Sequence, residues 1–534
     1  MECSTKFTAP NPAIFRLSSR FGTAGALGSL GAVRSEAPIP MRALAVLIAG
    51  AFALAISSVT AIAEQNSVLT YHGSNTRSGN FVVPALSWDK ARSVHLDRTF
   101  DARVAGHLYA QPLYWRPPGS NSAVLFAATE DNVVQAFDAA TGKELWRRAV
   151  GHPVRGSSLP CGNINPLGIT GTPVIDPATQ AIYFDAAVER RNGPNHEMFG
   201  LSLKDGTTLP GWPVDLGEAL HRAGRHFDPR LQNQRAALTL LNDTVYVAFG
   251  GHFGDCGDYH GWVIGISVHD SNRIVTFETR ARGGGIWAPG GLSVADGRLF
   301  FSTGNTFGAS TWSDGEAVFR VGPDLLRDQN NQDYFAPSDW KILDAEDEDL
   351  GGSNPLPLDD PNSAAGPDLM LALGKDRKAY LLDRSNLGGI GGQLAADTVA
   401  KLRIITSPAE YPVGDDVFVA FQGTGAHCPE SGAGHELTVL KIAKGMRPTM
   451  ATGWCGALSG RGSPIATTTD GHSNPIVWVL GAEGDNRLHA FRGDTGEPIF
   501  SSEPLSGLRH FQTLIATGDH LYVGADERIY SFSF

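Results

Sequence analysis

The segment from Ala123 to Arg147, AVLFAATEDNVVQAFDAATGKELWR, constrains the fold of this chain more than any other, because it carries one complete propeller-blade pattern. The apolar run VLFAAT ends at an acidic turn, Glu130-Asp131. The run VVQAF then alternates at the period of a half-buried strand. The turn DAATGKE places Gly142 where the backbone needs a positive φ, and ELWRR opens an outer strand with Trp146 as its packing residue. Such a unit cannot bury its own apolar face, so it requires neighbours of its kind.

Those neighbours follow in order. The same alternation of apolar runs and turns returns as AIYFDAAV with MFGLSLKDG, TVYVAFGG with WVIGISVHD, RLFFSTGN with AVFRVGPD and LMLALGKD with AYLLDRSN. It continues as VFVAFQG with LTVLKIA, IVWVLGAEGDN with LHAFRGDTGE, and HLYVGADE with IYSFSF, for eight copies in all. Innermost strands are expected near Val104, Gly168, Asn233, Trp287, Gly352, Ile405, Gly462 and Arg509, a mean spacing of about 58 residues. That period is too long for a WD40 array and fits large four-stranded blades. The chain ends at Phe534, after the third strand of the last copy, so residues around His95 to Ala102 are expected to supply the missing outer strand. The expected fold is an all-β, eight-bladed propeller of four-stranded antiparallel blades; eight copies argue against a pair of β-sandwiches.

The run MRALAVLIAGAFALAISSVTAIA, 41–63, has the layout of a secretory signal peptide ending in Ala61-Ile62-Ala63. Residues 1–40 then read as a dispensable leader or a mis-called start, 64–93 as an N-terminal extension and 94–534 as the propeller. The expected location is periplasmic or secreted, without a membrane span. No cysteine stands at the cleavage position to carry a lipid anchor.

The formal net charge is −12, and residues 1–63 carry five Lys/Arg and two Glu, which leaves −15 on the remainder. That surface disfavours nucleic acid and anionic membrane and suits a neutral or cationic partner, a metal cation, or solubility alone. Four cysteines remain beyond the leader, an even number that in an exported chain reads as two disulfides with three possible connectivities. Cys428 and Cys455 fall in one blade and are expected to pair, leaving Cys161 with Cys256. The absence of CxxC and CxxCH argues against a thiolate zinc site and covalent haem. HExxH, GxSxG and GxxxxGK[ST] are also missing, which removes the main support for three hydrolase classes. The glycines of GGIGG, 388–392, lack a following helix pattern and read as a loop. A closed propeller needs no partner for stability, so a monomer is expected.

The segments FAATEDNVVQAFDAATGKELW and GKDRKAYLLDRSNLG resemble repeats of the pyrroloquinoline-quinone (PQQ) propeller superfamily, which includes quinoprotein alcohol dehydrogenases and a non-enzymatic outer-membrane assembly scaffold. The resemblance extends over roughly residues 95–534. CGNINPLGITGTPVID, QNQRAALTLLNDTVYVAFGGHFGDCGDYHGWVIG, GGIWAPGG and DEDLGGSNPLPL resemble an exported branch of PQQ-binding-like repeat proteins. The repeat implies the fold; it implies no activity, because scaffolds carry it too.

In the dehydrogenases a Ca²⁺ or similar cation on the axis is held by Glu, Asn and often Asp, and a nearby Asp takes the substrate hydroxyl proton. By resemblance, FFSTGN places Asn305 as a metal ligand. LDAEDEDLGGSNP offers Asp347 and Asp349 as catalytic carboxylates, Asp349 also as a ligand, and Lys375 matches a basic residue that contacts the quinone. The family's ligand Glu is replaced here by His252, in Gly250-Gly251-His252-Phe253-Gly254. Its adjacent cysteine pair is replaced by Cys161-Gly162, so a Cys161–Cys256 bridge is either a cofactor roof or a structural staple. Trp287 and Trp262 are candidate cofactor walls. Arg235, in QNQR, is expected to face the axis with Asp347 or Asp349 as its counter-ion.

Each position also has a purely structural reading. Asn305 after Gly304 suits a left-handed turn, the run Asp344 to Asp349 suits a solvated loop, Lys375 a surface, the two tryptophans a core, and His252 a hydrogen-bonded loop. Two functions follow. One is a scaffold that binds a ligand, protein or glycan. The other is a PQQ- and Ca²⁺-dependent oxidoreductase acting on an alcohol or sugar through a separate electron acceptor.

Overall fold

The computed structural model describes residues 67–327, 330–358, 366–428 and 436–534. The chain divides into two units, Met1–Ser58 and Val59–Phe534. The expected leader and signal peptide lie outside the described residues.

The second unit is an eight-bladed β-propeller of four-stranded antiparallel blades. In the first blade Leu113–Trp115, Val124–Ala128, Val133–Asp138 and Glu144–Ala149 pair in order from axis to rim. The last blade takes its outer strand from the other end of the chain. His95 and Leu96 pair with Ser533 and Phe532, while Ala102 and Arg103 pair with Ile529 and Arg528. This closure leaves no open edge between first and last blades.

In the third blade Gln232–Asn233 pairs with Gly250–Gly251, at the expected position, and Thr239–Leu241 pairs further along the same strand. The other innermost ladders start at Leu113, Val174, Ser293, Leu356, Ala409, Ile465 and Leu514, several residues after the expected positions. The intervening stretches, such as LYAQP, WAPGG and GSNP, approach the axis without a ladder partner, since proline has no N–H to donate and glycine has no side chain to pack. Two further readings change. The run containing Asp344 is a helix, Trp340–Glu346, rather than a loop, and within GGIGG the pair Gly389–Ile390 adds a short strand parallel to Tyr334–Ala336.

Apolar faces of adjacent blades form the core, and tryptophans dock across the boundaries. Trp146, on the outer strand of the first blade, donates its indole N–H to Leu203 of the second over 3.0 Å. Trp454 donates likewise to Gly493 of the seventh over 2.7 Å. At Gly496 a Cβ would stand 2.7 Å from the Trp454 ring, so the indole needs the bare glycine backbone. On the axial side, carboxylates cross the same boundaries: Glu130 accepts from Gly168 N–H over 2.6 Å, Glu316 from Leu350 over 2.6 Å, and Asp526 from Leu108 over 3.1 Å.

The extension contributes an element that the repeat pattern does not contain. Residues 67–83 run across one end of the channel and touch the innermost strands of seven blades. Val68 bridges Tyr114, Leu69 O accepts from Ile175, Asn75 joins Leu240 and Val294, Ser78 O accepts from Glu410, and Gly79 O accepts from Ala466. His72 faces Thr513, completing the set. Asn80–Val82 then pairs in parallel with Ile465–Thr468. Antiparallel blade order puts the starts of innermost strands and the turns between second and third strands on the opposite face.

Both disulfides pair as expected, with Cα–Cα distances of 6.1 Å for Cys161–Cys256 and 5.9 Å for Cys428–Cys455. Among the described residues no helix is long and apolar enough to cross a membrane.

Candidate functional site

The face opposite the extension carries a charged cluster built by the third, fourth and fifth blades. The Trp340–Glu346 helix ends at Asp347, whose φ of 55° reverses the chain. Asp349 follows and is nearly buried, and the backbone then turns tightly over Leu350–Gly352. This turn packs directly on the Gly304 backbone: a Cβ on Gly351 would stand 2.7 Å from Gly304 N, and one on Gly304 would stand 2.8 Å from Asp349 Oδ1. Bare glycines on both sides let the Asp349 carboxylate reach the fourth blade.

Asp349 then takes three donors. Its Oδ1 accepts the Asn305 backbone N–H over 2.8 Å, and its Oδ2 accepts Trp287 Nε1–H over 3.1 Å and lies 2.7 Å from Lys375 Nζ. Lys375 also donates to Asp347 Oδ1 over 2.7 Å and stands 5.3 Å from the Trp287 ring centroid. The lysine side chain is 14% exposed, against 54% for Asp347 and 5% for Asp349, so the ammonium is sunk between one outer and one inner carboxylate. Burial opposes its charge, but Asp349, its hydrogen bonds and Asp347 outweigh burial and raise its pKa.

Structure thus gathers Asp347, Asp349, Lys375, Trp287 and the Asn305 backbone. Asn305 has no left-handed φ, so turn geometry does not explain it, and Lys375 is not a surface residue. Trp262 is fully buried, packed edge-on against Phe227 at 5.7 Å, and belongs to the core. His252 is 3% exposed, and its Nε2 lies 3.2 Å from the Arg230 carbonyl. Burial lowers its pKa to about 4, helped by nearby His196. Arg235 pairs with neither Asp347 nor Asp349, because both are taken by Lys375; it lies over Phe511 instead.

Sequence reasoning missed Asp255 and Tyr259, which border this cluster. Tyr259 OH donates to Asp255 Oδ1 over 2.6 Å, and the Asp255 pKa is raised by burial and then by the charges of Asp349 and Asp347. Their position beside Cys256, in a loop pinned by a disulfide to Cys161, was the available signal.

The donors around Asp349 leave no place for the divalent cation that the resemblance implies. Both oxygens of Asp349 are engaged by protein donors, Asn305 presents an N–H toward them, and the Lys375 ammonium stands between the two carboxylates. Among the described residues no group of three or more His, Cys, Asp or Glu converges as metal ligands. So arranged, these residues form a closed ion-pair network and do not fit a Ca²⁺ ion, which needs six or more oxygen ligands.

Comparisons with known proteins agree with the architecture. A PQQ-repeat family model, described as outer membrane protein assembly factor BamB, matches residues 86–319. No curated protein matches the chain. Among solved structures, a quinohemoprotein alcohol dehydrogenase from Pseudomonas putida HK5 superposes with a TM-score of 0.63 at 12% identity, covering 88% of this chain and 80% of that one. The quinohemoprotein alcohol dehydrogenase of Comamonas testosteroni gives 0.61 at 12% identity, covering 89% and 82%. A europium-containing methanol dehydrogenase gives 0.60 at 12% identity, covering 88% and 98%. At such identities the likeness is one of fold: the chain is an eight-bladed β-propeller similar to these enzymes, with residues 86–319 matching the PQQ-repeat model.

Proposed function

We propose that the chain is an exported binding propeller whose open axial face recognises a ligand or partner, rather than a cation-dependent quinoprotein. One observation carries this reading: Lys375 bridges Asp347 and Asp349 at 2.7 Å each and Arg403 lies 3.4 Å from Asp347, so the two carboxylates that a metal would neutralise already face two cations of the chain. The match to an assembly-factor family supports a protein-binding role. Two disulfides and the expected signal peptide support a periplasmic or secreted location.

Convergence of Trp287, Asp349, Lys375 and Asn305 favours a second reading, a PQQ-dependent oxidoreductase. Isothermal titration of PQQ into residues 64–534, with Ca²⁺ and then with a chelator, separates the two. The binding reading expects no cation-dependent heat from folded protein. Tight Ca²⁺-dependent binding that is lost in Lys375→Met or Asp349→Asn would overturn it.

A further inference from the structure

The outer strand of the sixth blade, Thr449–Gly456, is the longest outer strand in the ring, and its eight residues, TMATGWCG, include no charge and no proline. An edge of that kind pairs readily with another chain unless it is protected. The other rim strands are protected. Glu144–Ala149 carries three charges, Val214–Asp215 has two residues, and Ile274–Glu278 ends on a carboxylate. Tyr334–Ala336 is covered by Gly389–Ile390, Ala395–Thr398 carries Asp397, and Pro498–Ser501 opens on proline. In the eighth blade the rim is made by the two short strands that close the ring.

Among the described residues the backbone of Thr449–Gly456 bonds only to Leu437–Ala443. The N–H and C=O of alternate residues therefore face outward without a partner. A bulge at Gly453 twists the strand but leaves Thr449–Thr452 in regular register. A groove of about 640 Å³ touches Met450, Ala451, Thr452, Gly453, Trp454 and Cys455 in unbroken succession. Successive strand residues point to opposite faces, so a cavity that meets all six runs along the edge of the strand and not over one face. Its walls come from the neighbouring blades, Asp397 from the fifth and Thr495 from the seventh. The edge is also fixed in place. Met450 packs against the core shared by the fifth and sixth blades, Trp454 donates to Gly493 of the seventh, and Cys455 is bonded to Cys428. A fixed edge spares a ligand the cost of ordering it.

We propose that this groove takes up an extended segment of another protein as a fifth strand of the sixth blade, a segment with an uncharged body and a basic residue at one end. The edge supplies main-chain hydrogen bonds, and an uncharged strand favours an uncharged body opposite it. Asp397 meets the basic end: its side chain is 47% exposed, and its ion-pair neighbour, His427, stands 3.8 Å away. The chain's net charge of −12 favours the same basic partner. Walls on both sides keep the equally recessed edge of a second copy from reaching this one. The groove lies on the rim, apart from the axial cluster, so the two sites stand or fall separately.

The test is hydrogen exchange of residues 64–534 with and without an N-acetylated, C-amidated hexapeptide that alternates threonine and valine and ends in lysine. Slowed exchange confined to Thr449–Gly456, saturating below millimolar peptide, is expected. N-methylation of one alternate set of peptide amides should weaken binding at least about tenfold, and of the other set little. Asp397→Asn, a surface change, should weaken the lysine peptide about two- to fivefold and leave a peptide ending in glutamine unchanged. No binding at millimolar peptide, equal binding of the two methylated forms, or protection elsewhere than Thr449–Gly456 would overturn the proposal. Protection of this strand that grows with protein concentration in the absence of peptide would mean that a second copy takes the edge, and would overturn it too.

Discussion

Arg77 donates its Nε–H to the carbonyl of Leu292 over 3.0 Å, joining the N-terminal extension to the innermost strand of the fourth blade. The same guanidinium donates to Leu238 O over 2.8 Å and to Thr239 Oγ1 over 2.6 Å, so one fully buried cation ties the extension to two blades. These contacts make the segment a plug at one end of the channel.

Replacing Arg77 by Met should therefore unfold more than the extension. It removes a charged donor from Leu238 O, Leu292 O and Thr239 Oγ1, of which the last two keep their bond to each other, and each lost bond costs about 1–3 kcal/mol. A loss of roughly 3–5 kcal/mol is expected in urea unfolding, with Arg77→Lys losing less. A variant as stable as the parent would show that the plug is peripheral.

Glu130 makes stability depend on pH. Burial raises its pKa from 4.5 to about 7. Below about pH 4.5 both folded and unfolded states hold the proton; between there and 7 the unfolded chain releases it first, so stability falls as pH rises and then levels off. The loss is about 3 kcal/mol at most. Glu130→Gln removes the charge, so its gain in urea midpoint over the parent should be small at pH 5 and clear at pH 8. An equal effect at both pH values would rule out this titration.

The ion-pair network should show strong coupling. Lys375→Met alone leaves Asp349 nearly buried without its cation, a loss of about 3–5 kcal/mol. Adding Asp349→Asn should recover part of that, with a coupling energy of about 1–3 kcal/mol in a double-mutant cycle. Additive losses would mean that the two groups do not interact in solution.

The two disulfides should differ in value. Their cysteines are separated by 95 residues for Cys161–Cys256 and 27 for Cys428–Cys455. In the chain-entropy account the first contributes about 4.7 kcal/mol and the second about 3.6. Paired serine substitutions, followed by urea unfolding, should rank in that order.

Blade identity, blade number and ring closure were legible in the sequence because each depends on local periodicity repeated eight times. FAATEDNVVQAFDAATGKELW declares its strands within one short stretch, and the missing final strand can be counted. Trp287, Asp349 and Lys375 could be nominated because each opens or precedes a blade element at a position resembling the family's. What those residues do to one another was not legible. Asp349 reaches the Asn305 N–H only because Gly304 and Gly351 let two backbones touch. The contact of Arg235 with Phe511 exists only because a closed ring brings distant blades together at its axis. The plug was the least visible feature, since SVLTYHGSNTRSGNFVV follows no blade pattern and its partners lie up to hundreds of residues away. Local sequence determined which segments become blades; closure of the ring decided which polar groups meet at its centre, because burial there leaves each charge dependent on partners from other blades.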